Sequence, residues 1–128
     1  MLKGLWGLYP WFEEDGQHLV EPSQKNDFSH LNPYGKVFQC VDEDTNYISI
    51  KYNNQIFKVI PTLFKEVPPP IYTIGERVQL VKKPEIDGEI CDIQWHHSLK
   101  KEMYFIKVEG RKKSSRYFSE DLTSKEDK

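Results

Sequence analysis

The sequence has 128 residues, 38% of them hydrophobic and 13% aromatic, which is enough for one compact domain or for two small β-barrels. A formal net charge of −2 argues against a polycation that binds nucleic acid through its overall charge. The two cysteines, Cys40 and Cys91, are far apart, which favours free thiols in a reducing cytoplasm, although one disulfide between them stays open.

Residues 1–30 are predicted to form an irregular arm that is rich in aromatic side chains. In the segment LWGLYPWFEEDG, glycine and proline interrupt regular elements, so Trp6 and Trp11 are expected on an extended stretch. A lid over the molecule's own core is favoured over an exposed interface, because a large exposed aromatic patch promotes aggregation. The arm lacks the continuous apolar core of a signal peptide, and no run approaches the roughly 20 apolar residues that span a bilayer.

The segment EPSQKNDFSHLNPYG predicts one short helix, with Ser23 as its N-cap and Gly35 after its end. A first β unit is predicted over residues 31–68. Within it, YISIKY-NN-QIFKVI predicts a hairpin with a type I′ turn at Asn53-Asn54, since asparagine tolerates positive φ. The expected cross-strand pairs are Tyr52 with Gln55, Ile50 with Phe57, and Ile48 with Val59.

Three consecutive prolines follow the first β unit, and they favour a short, stiff connector because proline cannot continue a sheet ladder. We therefore expect a linker at residues 69–71, a second unit at residues 72–123 and a disordered tail at residues 124–128. In GEICDIQW, strict alternation would place Cys91 and Trp95 on one face of a strand, with Cys91 as a small core residue.

The second half, over about residues 72–123, resembles an SH3-like or Tudor-like small β-barrel. The resemblance rests on Gly75-Glu-Arg-Val78 as a "G-x-x-V" strand, Gly88-Glu-Ile90 as a "G-x-I" strand, and a closing turn and strand around 118–122. The whole chain is also similar to a group of small uncharacterised bacterial proteins with LYPWF, NPYGKVF and SSRYxxxDL segments, a similarity that implies no activity.

A weak internal repeat accompanies this resemblance. It matches Gly35-Lys-Val with Gly88-Glu-Ile, and Tyr47-Ile-Ser-Ile with Tyr104-Phe-Ile-Lys. The predicted fold is therefore mostly β. It consists either of two small SH3-like barrel units, of which the first could be incomplete, or of one fused β domain. An irregular aromatic N-terminal arm and one short helix complete it.

Neither a metal site nor a catalytic site is expected. Cys91, His96 and His97 lack the paired short spacings of zinc ligands, and adjacent histidines on a strand point to opposite faces. The sequence contains no G-x-S-x-G, H-E-x-x-H or P-loop motif. We expect no enzyme and no cofactor, and an enzyme with a site between the two units is kept only as the third alternative.

A basic hairpin spans residues 95–116, with seven lysines and arginines against two glutamates. Basic strands with interleaved aromatic rings suit single-stranded nucleic acid, because cations follow phosphates while rings stack on bases. The candidate residues for this alternative are Lys107, Arg111, Lys112, Lys113 and Arg116. A solvated hairpin that protects a sheet edge, or a docking surface for the acidic N-terminal arm, would explain the same pattern.

The favoured prediction is a non-catalytic, cytoplasmic protein-interaction module of adaptor or inhibitor type, because the aromatic residues are of the kind enriched at interfaces. Its partner is another protein of unknown identity, and nucleic acid is the less favoured partner; no membrane is involved, and a monomer or a weak homodimer is expected. The candidate contact residues are Trp95, His96, Tyr104, Phe105 and Tyr117, together with Trp6 and Trp11 in the N-terminal arm.

Overall fold

A computed structural model describes residues 2–125, except the side chain of Asp15. The chain divides into two compact units, Met1–Pro69 and Pro70–Lys128, and this boundary falls inside the predicted linker. Each unit holds one five-stranded antiparallel sheet, and a single short α-helix lies in the first unit among the described residues, so the prediction of a mostly β fold is confirmed. Within residues 2–125, none of the helices has the length and apolar character needed to cross a membrane.

The first unit is a sheet with the strand order β4-β3-β2-β1-β5. Its strands are β1 (Trp6–Leu8), β2 (Val37–Glu43), β3 (Ile48–Tyr52), β4 (Gln55–Val59) and β5 (Lys65–Val67). The helix α1 covers Lys25–Leu31, and single turns of 3-10 helix cover Glu13–Asp15, Gln17–Leu19, Pro22–Gln24 and Pro61–Leu63.

The N-terminal segment differs from the predicted irregular arm, because it contains β1 between β2 and β5. Trp6 pairs with Gln39 on one side and with Val67 on the other. Gly7 makes this close packing possible: a Cβ atom there would lie 2.5 Å from the Phe64 ring and 2.7 Å from the Lys65 carbonyl oxygen. The glycine that suggested an irregular segment is therefore what admits the strand to the sheet.

The β3–β4 hairpin has the predicted register, with Ile50 opposite Phe57 and Ile48 opposite Val59. The turn type differs from the prediction. A type I′ turn needs positive φ at both central residues, and among the described residues Asn53 has it, with φ of 56°, whereas Asn54 does not. Hydrophobic alternation therefore fixes the register without that turn type.

The helix α1 carries the central side chain of the first core. Phe28 is completely buried, and its ring centroid lies 4.9–5.9 Å from those of four other aromatic residues. These neighbours are Tyr9, Trp11, Phe38 and Phe57. The predicted N-cap Ser23 instead lies in the preceding 3-10 turn, and Asn32 ends the helix in the left-handed conformation with φ of 56°.

Gln24 covers the outer edge of β4 by acting like a peptide group. Its side-chain Nε2 donates to the Ile56 carbonyl oxygen at 3.2 Å, and its Oε1 accepts from the Lys58 amide at 2.7 Å. The Glu21 amide adds a bond to the Lys58 carbonyl oxygen at 3.0 Å. An uncovered edge would be a template for pairing with another chain.

Replacing Gln24 with alanine is expected to lower the free energy of unfolding by about 1–2 kcal/mol, because two hydrogen bonds to the strand edge are lost. Urea denaturation measures this loss, and hydrogen exchange should show faster exchange of the Lys58 amide. The control is Gln55→Ala, which removes an exposed glutamine from β4 itself. Equal losses in the two variants would contradict a specific role for Gln24.

The second unit is a sheet with the strand order β10-β6-β7-β8-β9. Its strands are β6 (Arg77–Leu80), β7 (Asp87–His96), β8 (Lys101–Val108), β9 (Arg111–Lys112) and β10 (Leu122–Ser124). A 3-10 turn, Ser119–Asp121, precedes the last strand, as Pro61–Leu63 does in the first unit. In each unit, the last strand pairs with the first strand.

Hydrogen bonds show how the two units correspond in sequence. The Gly4 amide donates to Cys40, whose amide donates to Leu5; likewise the Gly75 amide donates to Ile90, whose amide donates to Glu76. Gly4 and Gly75 have nearly equal φ, 95° and 96°. Cys40 thus corresponds to Ile90, an offset of 50 residues. The predicted match of Gly35 with Gly88 implies an offset of 53 residues. That alignment of the two units was therefore wrong by three residues.

Two residues of the predicted disordered tail, Ser124 and Lys125, are instead ordered. Ser124 belongs to β10, and its hydroxyl donates to the Glu76 carboxylate at 3.1 Å. The Lys125 amide donates to the Arg77 carbonyl oxygen at 3.0 Å. The rest of the predicted tail, residues 126–128, lies outside the described residues.

Candidate functional site

The predicted groove residues of the second unit lie on different faces of the sheet. Tyr104 is opposite Ile93, and Phe105 is opposite Asp92. Because directly opposite residues share a face, Tyr104 and Phe105 point to opposite sides. His96, opposite Lys101, continues the face of Phe105, whereas Trp95 continues the face of Tyr104.

A β-bulge explains why sequence alternation misjudged β7. The register with β8 shifts between Ile90 and Asp92, so the strand changes phase at Cys91. Asp92 is buried, with 4% of its surface exposed, while Cys91 is only half-buried. The prediction that Cys91 is a small core residue is therefore wrong. Both Cys40 and Cys91 are free thiols, and burial raises the pKa of each.

Tyr104 is a core residue whose hydroxyl holds the start of the second unit. It is completely buried and packs edge-to-face on Tyr72 at 5.5 Å between ring centroids. Its hydroxyl accepts from the amides of Ile71, at 2.9 Å, and Tyr72, at 3.2 Å, and donates to Glu102 at 2.6 Å. Burial raises the pKa of Tyr104 above its usual value. A partner could not touch this ring in the folded unit.

His96 belongs to a small cluster around Phe118. The two rings lie 6.0 Å apart, edge to face, and His96 Nδ1 accepts from the Leu99 amide at 3.1 Å. The Lys101 ammonium lies 4.2 Å from the centroid of the Phe118 ring and 2.9 Å from the Glu120 carboxylate. The hydrogen bond from Lys101 lowers the pKa of Glu120. The charges of this cluster are thus paired within the protein.

The Lys112 ammonium contacts residues of its own unit. It lies 5.0 Å from the centroid of the Phe105 ring and 3.7 Å from Oδ2 of buried Asp92. The same carboxylate oxygen accepts from the Gln94 side chain at 2.7 Å. Lys112 therefore neutralises a buried charge, and its removal would leave that charge without this cation.

The other basic residues of the predicted nucleic-acid surface are exposed but do not form one face. Lys107 pairs with Lys112 across the hairpin, whereas Arg111 pairs with Val108 and points to the opposite side. The Lys113 amide continues the pairing by donating to Ile106. Arg116 lies beyond the hairpin, beside the sulfur of Met103 at 3.9 Å.

A cleft of about 420 Å³ in the second unit brings Arg116 and Tyr117 together with two lysines that sequence reasoning missed. We call it the basic cleft. Its lining residues are Leu80, Val81, Lys82, Lys83, Ser115, Arg116, Tyr117, Glu120 and Asp121. The sequence does show Lys82 and Lys83 as a basic pair after β6, but not that this pair faces Arg116.

Backbone hydrogen bonds fix the walls of the basic cleft. The Val81 amide donates to the Asp121 carbonyl oxygen at 3.0 Å. Tyr117 exchanges two bonds with Tyr104, at 2.7 and 2.9 Å, which join the segment that carries Arg116 to β8. The wall residues are therefore held by the sheet, while the ends of Lys82, Lys83 and Arg116 are exposed.

Both acidic residues of the basic cleft already have partners. Glu120 pairs with Lys101, at 2.9 Å, and the Asp121 carboxylate accepts from the Phe118 amide, also at 2.9 Å. Three basic side chains line the same cleft. The cleft consequently favours a negatively charged ligand.

The two predicted contact residues in the first unit are partly or fully covered. Trp6 is half-buried on β1. Trp11 is 2% exposed, and its Nε1 donates to the Gly16 carbonyl oxygen at 2.7 Å. Trp11 also packs on Phe28, so it covers the core as the predicted lid would.

Residues 2–125 contain no group of three or more histidine, cysteine, aspartate or glutamate side chains that could hold a metal ion. Comparison with known proteins gives one family match: a model of a family of unknown function covers residues 1–123. No curated protein and no solved structure matches the chain.

Proposed function

Since the chain belongs to the family of unknown function DUF6960, we propose its role from the geometry of the site: a non-catalytic protein-interaction module, of adaptor or inhibitor type, whose basic cleft binds an acidic segment of another protein. The observation that carries the proposal is the imbalance of charge in this cleft. Lys82, Lys83 and Arg116 line it, while its two carboxylates are engaged within the protein.

The lining of the basic cleft offers both charged and apolar surface to an extended peptide. Its walls come from two separate segments, residues 80–83 and 115–121, and Tyr117 supplies a half-exposed ring beside them. An aromatic ring flanked by cations can pack on an apolar side chain while the cations meet neighbouring carboxylates. Exposed Val81 adds apolar surface to the same wall.

The proposal extends to the class of fold and to the cell compartment. We propose that both units are SH3-like, as the sequence resemblance suggests for the second; the support is their common strand order, with the last strand beside the first. A bacterial cytoplasmic location is part of the same proposal. The two free cysteines support a reducing compartment.

Selection of random displayed peptides on the full chain is expected to enrich sequences rich in aspartate and glutamate. The double variant Lys83→Glu/Arg116→Glu should weaken binding of the selected peptides by about tenfold or more, because each reversed charge repels a carboxylate. Fluorescence anisotropy with labelled peptides measures the change. Both side chains are exposed, so the variant is expected to fold.

The matched control is Lys51→Glu/Lys65→Glu, which makes the same change of charge at exposed positions of the first unit. A similar loss in the control would show that only net charge matters, and would contradict a site in the basic cleft. Failure to enrich acidic peptides would contradict it as well.

Single-stranded nucleic acid is the second candidate ligand, and the exposed Lys107 beside half-exposed Phe105 is the observation that favours it. Oligothymidylate added in the same anisotropy assay distinguishes the two. Binding that falls steeply with salt, and that Lys107→Glu/Lys113→Glu abolishes, would favour this candidate. Lys112 is left unchanged in that variant because its ammonium neutralises Asp92.

A further inference from the structure

A second cleft, of about 220 Å³, lies within the first unit and has the opposite character. We call it the aromatic-acidic cleft. Its lining residues are Trp11, Phe12, Glu13, Glu14, Ser29, Asn32, Pro33 and Tyr34. They come from two segments, the first 3-10 turn with the residues before it, and the end of α1 with the residues after it.

The rings of Phe12 and Tyr34 form a stacked pair on this cleft. Their centroids lie 5.0 Å apart with an interplanar angle of 22°, and the two residues are 49% and 48% exposed. The two rings therefore present one continuous, half-exposed aromatic surface beside the cleft.

The stacked pair is held in place by the residues next to it. Trp11, directly before Phe12, is anchored in the core by its bond to Gly16. Asn32, two residues before Tyr34, ends α1 in the left-handed conformation, and Pro33 between them is buried. The two rings therefore form a pre-formed platform, which lowers the entropy lost when a ligand binds.

The charge of the cleft indicates what the platform would bind. Glu13 and Glu14 line it, and none of its lining residues is basic. The Ser29 hydroxyl donates to Glu13 Oε1 at 3.3 Å, which orients that carboxylate. Aromatic faces and carboxylates in one cleft are both complementary to a cation.

We propose that the aromatic-acidic cleft binds the guanidinium group of an arginine in an exposed segment of a partner protein. A guanidinium is planar, so it can stack on an aromatic ring while its N–H groups donate to a carboxylate. The compact ammonium of lysine offers no such plane. This site is independent of the basic cleft, and either one can fail without the other.

The test is titration of the isotope-labelled full chain with a capped Gly-Arg-Gly tripeptide, followed by amide NMR shifts. Saturable shifts are expected at Phe12, Glu14 and Tyr34. Nuclear Overhauser effects are also expected between protons of the arginine side chain and those of the Tyr34 ring. Citrulline has the shape of arginine without its charge. The same tripeptide with citrulline should therefore bind at least about tenfold more weakly.

The variant Glu13→Gln/Glu14→Gln should bind the arginine tripeptide about tenfold more weakly, since both carboxylates of the cleft lose their charge. The control Asp27→Asn/Glu66→Gln removes two exposed charges elsewhere in the first unit and should change little. The proposal is overturned if no saturable shift occurs at Phe12, Glu14 and Tyr34, or if the citrulline tripeptide binds equally well. It is also overturned if the control variant loses as much affinity for the arginine tripeptide as Glu13→Gln/Glu14→Gln does.

Discussion

Replacing Phe28 with alanine is expected to lower the free energy of unfolding by about 3–5 kcal/mol, the usual cost of deleting a fully buried aromatic ring. The loss should lie at the upper end of that range, because Phe28 is completely buried among four other rings. Rings of neighbouring strands cannot readily collapse into the space, since the backbone of the sheet holds them.

Urea denaturation followed by tryptophan fluorescence measures the effect of Phe28→Ala. The matched control is Phe12→Ala, which removes the same ring from an exposed position of the same unit and should cost less than about 1 kcal/mol. If the two variants lose similar stability, the Phe28 cluster is not the centre of the first core. If Phe28→Ala unfolds at room temperature, the assay is run at low temperature.

Replacing Tyr104 with phenylalanine is expected to lower the free energy of unfolding by about 2–4 kcal/mol. The ring remains, so the loss isolates the hydroxyl, which accepts from two backbone amides and donates to Glu102. Each buried donor left without an acceptor costs about 1–3 kcal/mol. The loss should be larger for the Tyr72 amide than for the Ile71 amide, because the Tyr72 hydrogen bond is buried and that of Ile71 is only partly buried.

Urea denaturation again measures this loss, with Tyr117→Phe as a control from the same unit. Hydrogen exchange should accelerate at Ile71 and Tyr72 in Tyr104→Phe but not in the control. Stability of the wild type should also fall as the pH rises above the usual tyrosine pKa of 10.0, because burial raises the pKa of Tyr104 and so opposes its ionisation in the folded state. A variant that lacks the hydroxyl should lose less over that range; an unchanged pH profile and unchanged exchange would contradict this role.

Features set by neighbours in sequence could be predicted. The β3–β4 hairpin follows from alternation around Asn53, and the short helix from its local pattern. In each case the determining residues lie within a few positions of one another.

Features set by distant residues could not be predicted. Strand β1 exists because β2 and β5 pair with it on either side, and nothing near Gly7 signals those partners. The β-bulge between Ile90 and Asp92 reverses the phase of one strand, so that buried Ile90, and not Cys91, shares the face of Ile93. A single irregular residue was enough to reverse the predicted faces of the side chains before it, although the side chains after it alternate as predicted.

The candidate site was predicted only in part for the same reason. Arg116 and Tyr117 were identified because they stand in a basic, aromatic stretch. Lys82 and Lys83 were not, because their proximity to Arg116 depends on how the chain returns after β9. Tyr104 was misjudged as a contact residue because sequence does not reveal the two amides that its hydroxyl satisfies.

The central position of β1 bears on the order of events during synthesis. Residues 6–8 leave the ribosome before the other strands of their sheet, yet their second neighbour, residues 65–67, is made almost sixty residues later. Until then one side of β1 stays open, and the nascent chain carries an incomplete sheet. Once Val67 has emerged, every strand of the first sheet is present. The first unit can therefore complete its fold while the second is still being translated.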